Sequence, residues 1–310
     1  VWGVAWSPDG SAIASASLDD TIRLWQRDGT PLLTINAEHE GVTEVTWSPD
    51  SQTLASVGFN KTLKLWRRSG TLLRTLQGHD MVMWGVDFSR DGQLIATSSS
   101  DKTARLWRLN NGLLTRLEGH KGAVYQVNFS PDGQLLATAS QDTAAKLWLQ
   151  SGEFLRDLET GQSNRSADGQ GAKRAWKLAA KFTPDSREVI TSAFDGTVRR
   201  WRLDGSIVNT FSKPGEESSN NVAISPNGAF VAAGGRDKLL RIWSMDGSEV
   251  RSIVAHNAPI WSLTFSPDSQ MLASAAIDGT AKLWRVSDGQ LKVALASPGA
   301  TMQSIAISTV

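Results

Sequence analysis

A tryptophan recurs along this chain at a nearly fixed interval. Trp25, Trp66, Trp107, Trp148, Trp201, Trp243 and Trp284 are separated by 41, 41, 41, 53, 42 and 41 residues. A period of roughly 40–45 residues restricts the chain to an array of small repeated units, each of which must lean on its neighbours. The single long gap means that one connection carries an insertion.

The stretch from Gly119 to Trp148 shows what one unit is. Its apolar residues alternate with period two, so it predicts strands and not helices. Val124, Val127 and Phe129 mark a first strand, Ser130-Pro131-Asp132-Gly133 a turn, and Leu135 to Thr138 a second strand. Ala144 to Trp148 is a third, and Glu153 to Leu158 a fourth. Proline presets φ in the turn and glycine supplies the reversal. Four short antiparallel strands cannot bury both faces of their own sheet, so the units must stack, and closing the stack into a ring removes most free edges.

Copied along the chain, the unit predicts an all-β fold of seven four-stranded antiparallel blades. They cover about residues 1–36, 41–76, 81–117, 123–158, 175–211, 220–254 and 259–296. Residues 159–174 are rich in Gly, Ser and Asn with no apolar period, which predicts a flexible loop and accounts for the long gap. Residues 301–308 repeat the pattern of Ala123 to Ser130, so they read as the first strand of an eighth repeat. In a ring of seven that place is already taken by Val1 to Trp6.

Composition removes several kinds of chemistry. The absence of cysteine excludes disulfides, thiolate metal sites and cysteine nucleophiles. Net charge is +1, too balanced to argue for a nucleic-acid partner, and no apolar run approaches the ~18 residues of a membrane span. The expectation is a cytoplasmic domain without membrane insertion, monomeric on its own. The chain begins inside a strand and without Met, as a piece of something longer would.

Gly78-His79, Gly119-His120, the Ser-Pro-Asp-Gly turns and the run Asp101 to Trp107 resemble the corresponding positions of the WD-repeat β-propeller family. The aspartate that usually follows the family's tryptophan is missing in every repeat; the successors are Gln26, Arg67, Arg108, Leu149, Arg202, Ser244 and Arg285. The closeness of the copies to one another resembles bacterial-type arrays fused to signalling kinases or nucleotidases. The resemblance implies a seven-bladed propeller with a supernumerary C-terminal strand, and a structural set of His, Ser or Thr, Asp and Trp in each complete blade. The complete sets would be His79, Thr97, Asp101 and Trp107; His120, Thr138, Asp142 and Trp148; and His256, Ser274, Asp278 and Trp284. Blade two carries His39, Ser56 and Trp66 with Asn60 in the acid's place, and blade one Ser15, Asp19 and Trp25. Blade five has Thr191, Asp195 and Trp201 without a histidine, and blade six Asp237 and Trp243 with Ala233 in place of the hydroxyl. Such a network stabilises only when complete, so Asp142→Ala is expected to cost more than Asp195→Ala.

Serine, histidine and aspartate in one set also invite a hydrolase reading with Ser274 as nucleophile, His256 as base and Asp278 as orienter. Recurrence of the set beside a tryptophan donor favours a structural role. No two histidines are close in sequence and no Asp-x-Asp loop occurs, so no metal site is expected. Gly169 to Lys173 lacks the spacing of a phosphate loop, and no cofactor is expected. The basic residues two before each tryptophan, Arg23, Lys64, Arg105, Lys146, Arg199, Arg241 and Lys282, read as solvated charges on the blade surface.

Function is expected on the face where the innermost strands begin. There the resemblance places two rings of positions around the channel mouth, among them Trp2, Trp84, Tyr125, Leu178 and Trp261, and Leu18, Phe59, Phe194, Arg236 and Ile277, with Trp176 beside them. An aromatic, apolar set with an arginine has the composition of a binding hot spot. The expectation is a non-catalytic scaffold for a protein or peptide segment. Its alternatives are a sensor module of a larger signalling protein and an enzyme with its active site in the channel, for which an acidic or histidine cluster at the mouth would be the mark.

Overall fold

The computed structural model describes residues 1–110, 112–142, 144–159, 179–193, 196–212, 219–296 and 301–307. They form seven four-stranded sheets, each with its strands in sequence order and antiparallel throughout. No helix occurs among the described residues, and none is therefore long and apolar enough to cross a membrane. The residues expected to form the inserted loop lie almost wholly outside the described range.

Blade three shows how sequence becomes sheet. Its strands run Met83–Phe88, Leu94–Ser99, Ala104–Arg108 and Gly112–Leu117. The second strand is buried at every position, the first beside the channel is partly exposed, and half of the fourth is exposed, so burial peaks in the middle of the blade. The turn between the first two strands is stapled by its own side chains. Ser89 Oγ accepts the Leu94 N–H at 2.9 Å and donates to Asp91 at 2.6 Å, and the same pair of bonds recurs at Ser7, Ser48, Ser130, Thr183, Ser225 and Ser266. In all seven blades the pairing of third and fourth strands slips by one residue at the repeat tryptophan. A bulge there re-aims the indole while the remaining ladder keeps its register.

Six apolar clusters hold the ring together, and each is shared by two consecutive blades. Leu106 and Leu117 of blade three, for instance, pack with Val127, Leu136 and Trp148 of blade four. No cluster among the described residues joins blade seven to blade one. There the segment 301–307 stands between the two inner strands. Met302 donates its N–H to the Ala276 carbonyl at 3.1 Å, as Val42 does to Ser17 at 3.0 Å between blades one and two. Ile305 N donates to Ser262 Oγ at 3.3 Å and Val4 N to Ser304 Oγ at 3.2 Å, both in the register of Ala180 N on Gln126 Oε1 between blades four and five. The C-terminal segment thus holds an inner strand's place between seven and one. It joins no ladder, so the expected supernumerary strand is seated without a strand partner of its own.

Candidate functional site

The polar networks expected in blades three, four and seven run in one direction. In blade three the Trp107 indole donates to Thr97 Oγ1 at 2.8 Å, the hydroxyl meets His79 Nε2 at 2.9 Å, and His79 Nδ1 meets Asp101 at 2.7 Å. An indole can only donate and a carboxylate can only accept, so the proton positions follow from the ends of the chain: Thr97 donates to Nε2 and Nδ1–H donates to Asp101. Blade four repeats it through Trp148, Thr138, His120 and Asp142, and blade seven through Trp284, Ser274, His256 and Asp278. Blade two closes the same chain on the Asn60 amide oxygen, 2.9 Å from His39 Nδ1. Blade one has only its last link, Trp25 to Ser15 at 3.0 Å, with Asp19 paired to Arg23 at the surface.

Burial and hydrogen bonding set the charges. Desolvation holds His79 and His256 below the usual imidazole range against the pull of their aspartates, and lowers His39 to about 4. Burial opposes ionisation of Asp101 and Asp142, yet their histidine hydrogen bonds, with Thr103 also donating to Asp101, hold both carboxyls well below the ordinary range. Asp278 falls to about 2, with Thr280 as its main donor. In blades three and seven the networks therefore consist of neutral imidazoles on ionised carboxylates.

The basic residues two before each tryptophan are not all solvated, contrary to the reading from sequence. Arg105 is 1% exposed, Lys64 5% and Lys146 9%. Lys64 donates to the Ala37 carbonyl at 2.7 Å, Lys282 to the Ala255 carbonyl at 2.6 Å, and Arg105 lies 3.4 Å from Asp101. These cations close the outer end of the networks, against the loop that delivers the histidine. Gly78 of the Gly-His pair has a direct reason: a Cβ there would lie 2.5 Å from the Arg105 guanidinium and 3.0 Å from the Trp107 ring. The signal was in the sequence as a glycine one residue before each of His79 and His120, although at Gly119 the reason is a φ of +126° and not a close approach.

At the channel mouth the ring brings together residues that are 25 to 82 positions apart in the sequence. Trp2 stacks on Trp84 with centroids 5.8 Å apart and planes 17° apart, Phe59 meets both edge-on at 6.3 and 6.0 Å, and Tyr125 meets Trp84 edge-on at 5.8 Å. All four are part-exposed. The Trp84 indole is fixed by a 2.6 Å bond to Ser100 Oγ. Leu18, 47% exposed, reaches the same patch across Gly41, where φ is +114° and a Cβ would lie 3.0 Å from Phe59 and 3.3 Å from Leu18. Trp261 is part-exposed and Arg236 and Ile277 are exposed, but they are not in ring contact with this group. Trp176, Leu178, Phe194 and the Asn220 side chain lie outside the described residues. The rim thus gathers four of the expected aromatics on blades one to four and leaves Trp261 apart.

Chemically this surface can bury apolar groups. The Ser274 hydroxyl sits 2.7 Å from His256, in hydrolase geometry, but it is 0% exposed and already accepts the Trp284 indole. No group of three or more His, Asp or Glu among the described residues is placed to hold a metal.

Comparison with known proteins gives the same picture. The family described as WD domain, G-beta repeat matches residues 1–26, 29–67, 70–108, 111–148, 167–202, 205–244 and 247–285. WD repeat-containing protein SL1-17 of Schistosoma mansoni is 33% identical over 145 residues, which are 45% of this chain and 46% of that protein. Small ribosomal subunit protein RACK1 of Caenorhabditis elegans is 28% identical over 42% of this chain and 41% of its own length. WD repeat and HMG-box DNA-binding protein 1 of Homo sapiens is 29% identical over 37% of this chain, a stretch that is 10% of that protein. The match spans less than half the length of each of these relatives, all of them eukaryotic.

Proposed function

This chain belongs to the WD-repeat family, and from that premise we propose that it is a non-catalytic scaffold holding a protein or peptide segment on the aromatic rim of its channel. The observation that carries the reading is the contiguous patch of Trp2, Phe59, Trp84 and Tyr125 with Leu18 beside it. Rings that pack on one another are already ordered, so a ligand gains contact area without the cost of fixing them. Aromatic side chains of this kind carry most of the energy in protein interfaces. A protein partner is favoured over nucleic acid because the patch itself holds no cation and the net charge is +1.

Affinity capture with the purified chain, followed by the same capture with Trp84→Ala and with Trp84→Ala plus Trp261→Ala, tests the proposal. Binding should fall at least about tenfold with Trp84→Ala, and further in the pair if the ligand spans the mouth. Retention of every partner by the double variant, with its melting curve intact, refutes it. In several relatives the matched stretch is a small part of a long chain, such as 12% of periodic tryptophan protein 2 of Arabidopsis thaliana. This supports the variant in which the propeller serves as the binding or sensing module of a larger protein.

A further inference from the structure

The opposite mouth of the channel holds a cavity of 390 Å³ where the first and second strands of blades four to seven turn. Its walls include Pro131, Pro184 and Pro226 from three turns, Phe182, Leu263 and Phe265 from the strands behind them, and Lys181. We propose that this cavity binds a compact organic anion, a carboxylate on an apolar body, seated against the Lys181 ammonium.

The position of Lys181 is what sets this mouth apart. It follows Ala180, which pairs with Thr191 as Val127 pairs with Thr138, so Lys181 takes the channel position held elsewhere by Ala5, Thr46, Asp87, Asn128, Ala223 and Thr264. It is the one cation of that ring. The neighbouring alanine, Ala223 on blade six, leaves the space beside it open. Lys181 makes no hydrogen bond or ion pair to any described residue. Glu44 and Asp87 face the channel from blades two and three; Glu44 favours the ammonium charge from a distance, and burial raises Asp87 to about 7. Desolvation lowers Lys181, which is part-exposed, to about 8 despite the pull of Glu44.

The rest of the lining says which anion fits. The three prolines bring rings and no N–H, so there is no cluster of backbone donors of the kind that holds a phosphate. Besides Lys181 the lining offers the Thr264 hydroxyl, whose contact with the Phe265 carbonyl is a long 3.5 Å. One cation and one hydroxyl suit a singly charged carboxylate, and the apolar walls suit a hydrocarbon or aryl body. A carboxylate entering here supplies the partner that the Lys181 ammonium lacks among the described residues, which a neutral ligand of the same shape cannot do. The site lies on the other face from the aromatic rim and does not depend on it.

Fluorine NMR titration with 4-fluorobenzoate and its neutral twin 4-fluorobenzamide tests the assignment on the unaltered chain. The acid should bind saturably and the amide at least about tenfold more weakly. Lys181→Met should reduce acid binding to the level of the amide, and Ala223→Phe should abolish both while keeping the lysine. Because the bound carboxylate selects the ammonium form, affinity should fall about tenfold per unit above pH 8, after a smaller fall near pH 7 as Asp87 ionises across the channel. Equal binding of acid and amide overturns the proposal, as does absence of binding by either. Acid binding that survives Lys181→Met within twofold also overturns it, since the anion would then sit elsewhere.

Discussion

Blades three and six share strand registers and differ in what lies beneath the rim. In blade three Thr97, His79 and Asp101 link the tryptophan to a buried arginine, with Asp101 and Arg105 side chains 6% and 1% exposed. In blade six Ala233 replaces the hydroxyl, no histidine precedes the blade, and what remains is the Arg241–Asp237 pair at 2.5 Å with side chains 17% and 14% exposed. The fold therefore does not need the network: the same sheet forms with or without it. The network converts a sheet edge into a place where a charge can be enclosed, and having enclosed it, makes that blade intolerant of losing any member.

The largest test of this contrast is removal of the acid from each blade. Asp101→Ala should cost about 3–5 kcal/mol in urea unfolding, because it strands the Arg105 cation and the His79 N–H together. Asp237→Ala should cost about 1 kcal/mol, since Arg241 can turn towards solvent. The blade-five counterpart, Asp195, lies outside the described residues, so Asp237 is the informative comparison. Equal losses would mean that the networks add nothing beyond an ion pair.

Acid should separate the blades next. His39 has a folded pKa of about 4 against about 6.5 in the unfolded chain, so the unfolded state takes up the proton first. Its contribution is complete above pH 6.5 and is lost as pH falls towards 4, by up to about 3 kcal/mol. The blade-three and blade-seven histidines, also lowered, act in the same direction. His39→Gln should flatten the slope of stability between pH 6.5 and 4, whereas changes in blade six should leave it unaltered.

A smaller effect is expected at the donor end. Trp107→Phe removes the N–H that Thr97 accepts in a fully buried site and should cost about 2 kcal/mol. Trp25→Phe, where the indole is only partly enclosed and no histidine follows, should cost about 1 kcal/mol. A reversed order would show that indole packing outweighs the hydrogen bond.

How much of this was legible in the sequence depends on the range of the interaction. The strands and turns are set within one repeat, and spacing gives Trp107, from which the family resemblance gives Thr97 and Asp101 by position. The enclosure of Arg105, Lys64 and Lys146 is not local: it depends on the loop delivering the histidine and on a glycine that clears room, so a charge pattern read along the strand predicts solvent. The stacking of Trp2 on Trp84 is likewise invisible along the chain, because only the curvature of the stacked blades turns the rims of blades one and three towards each other over blade two. The segment 301–307 was legible as an inner-strand pattern, but not its place, since the pattern does not say whether the seven–one junction is already filled.

That junction offers the last and smallest test. If the C-terminal segment is seated as an inner strand, the Val4 N–H bond to Ser304 is the equivalent of the Ala180 N–H bond to Gln126. Ser304→Ala and Gln126→Ala should then each cost about 0.5–1 kcal/mol in chemical denaturation, the usual net worth of one such bond. The apolar cluster shared by blades four and five has no counterpart between seven and one among the described residues, so the described seam has less else to hold it. Ser304→Ala should therefore be the more damaging of the two if either is. A silent Ser304→Ala beside a measurable Gln126→Ala would mean that the ring stays closed without this segment, and that the difference between the seam and the other six junctions has no energetic consequence.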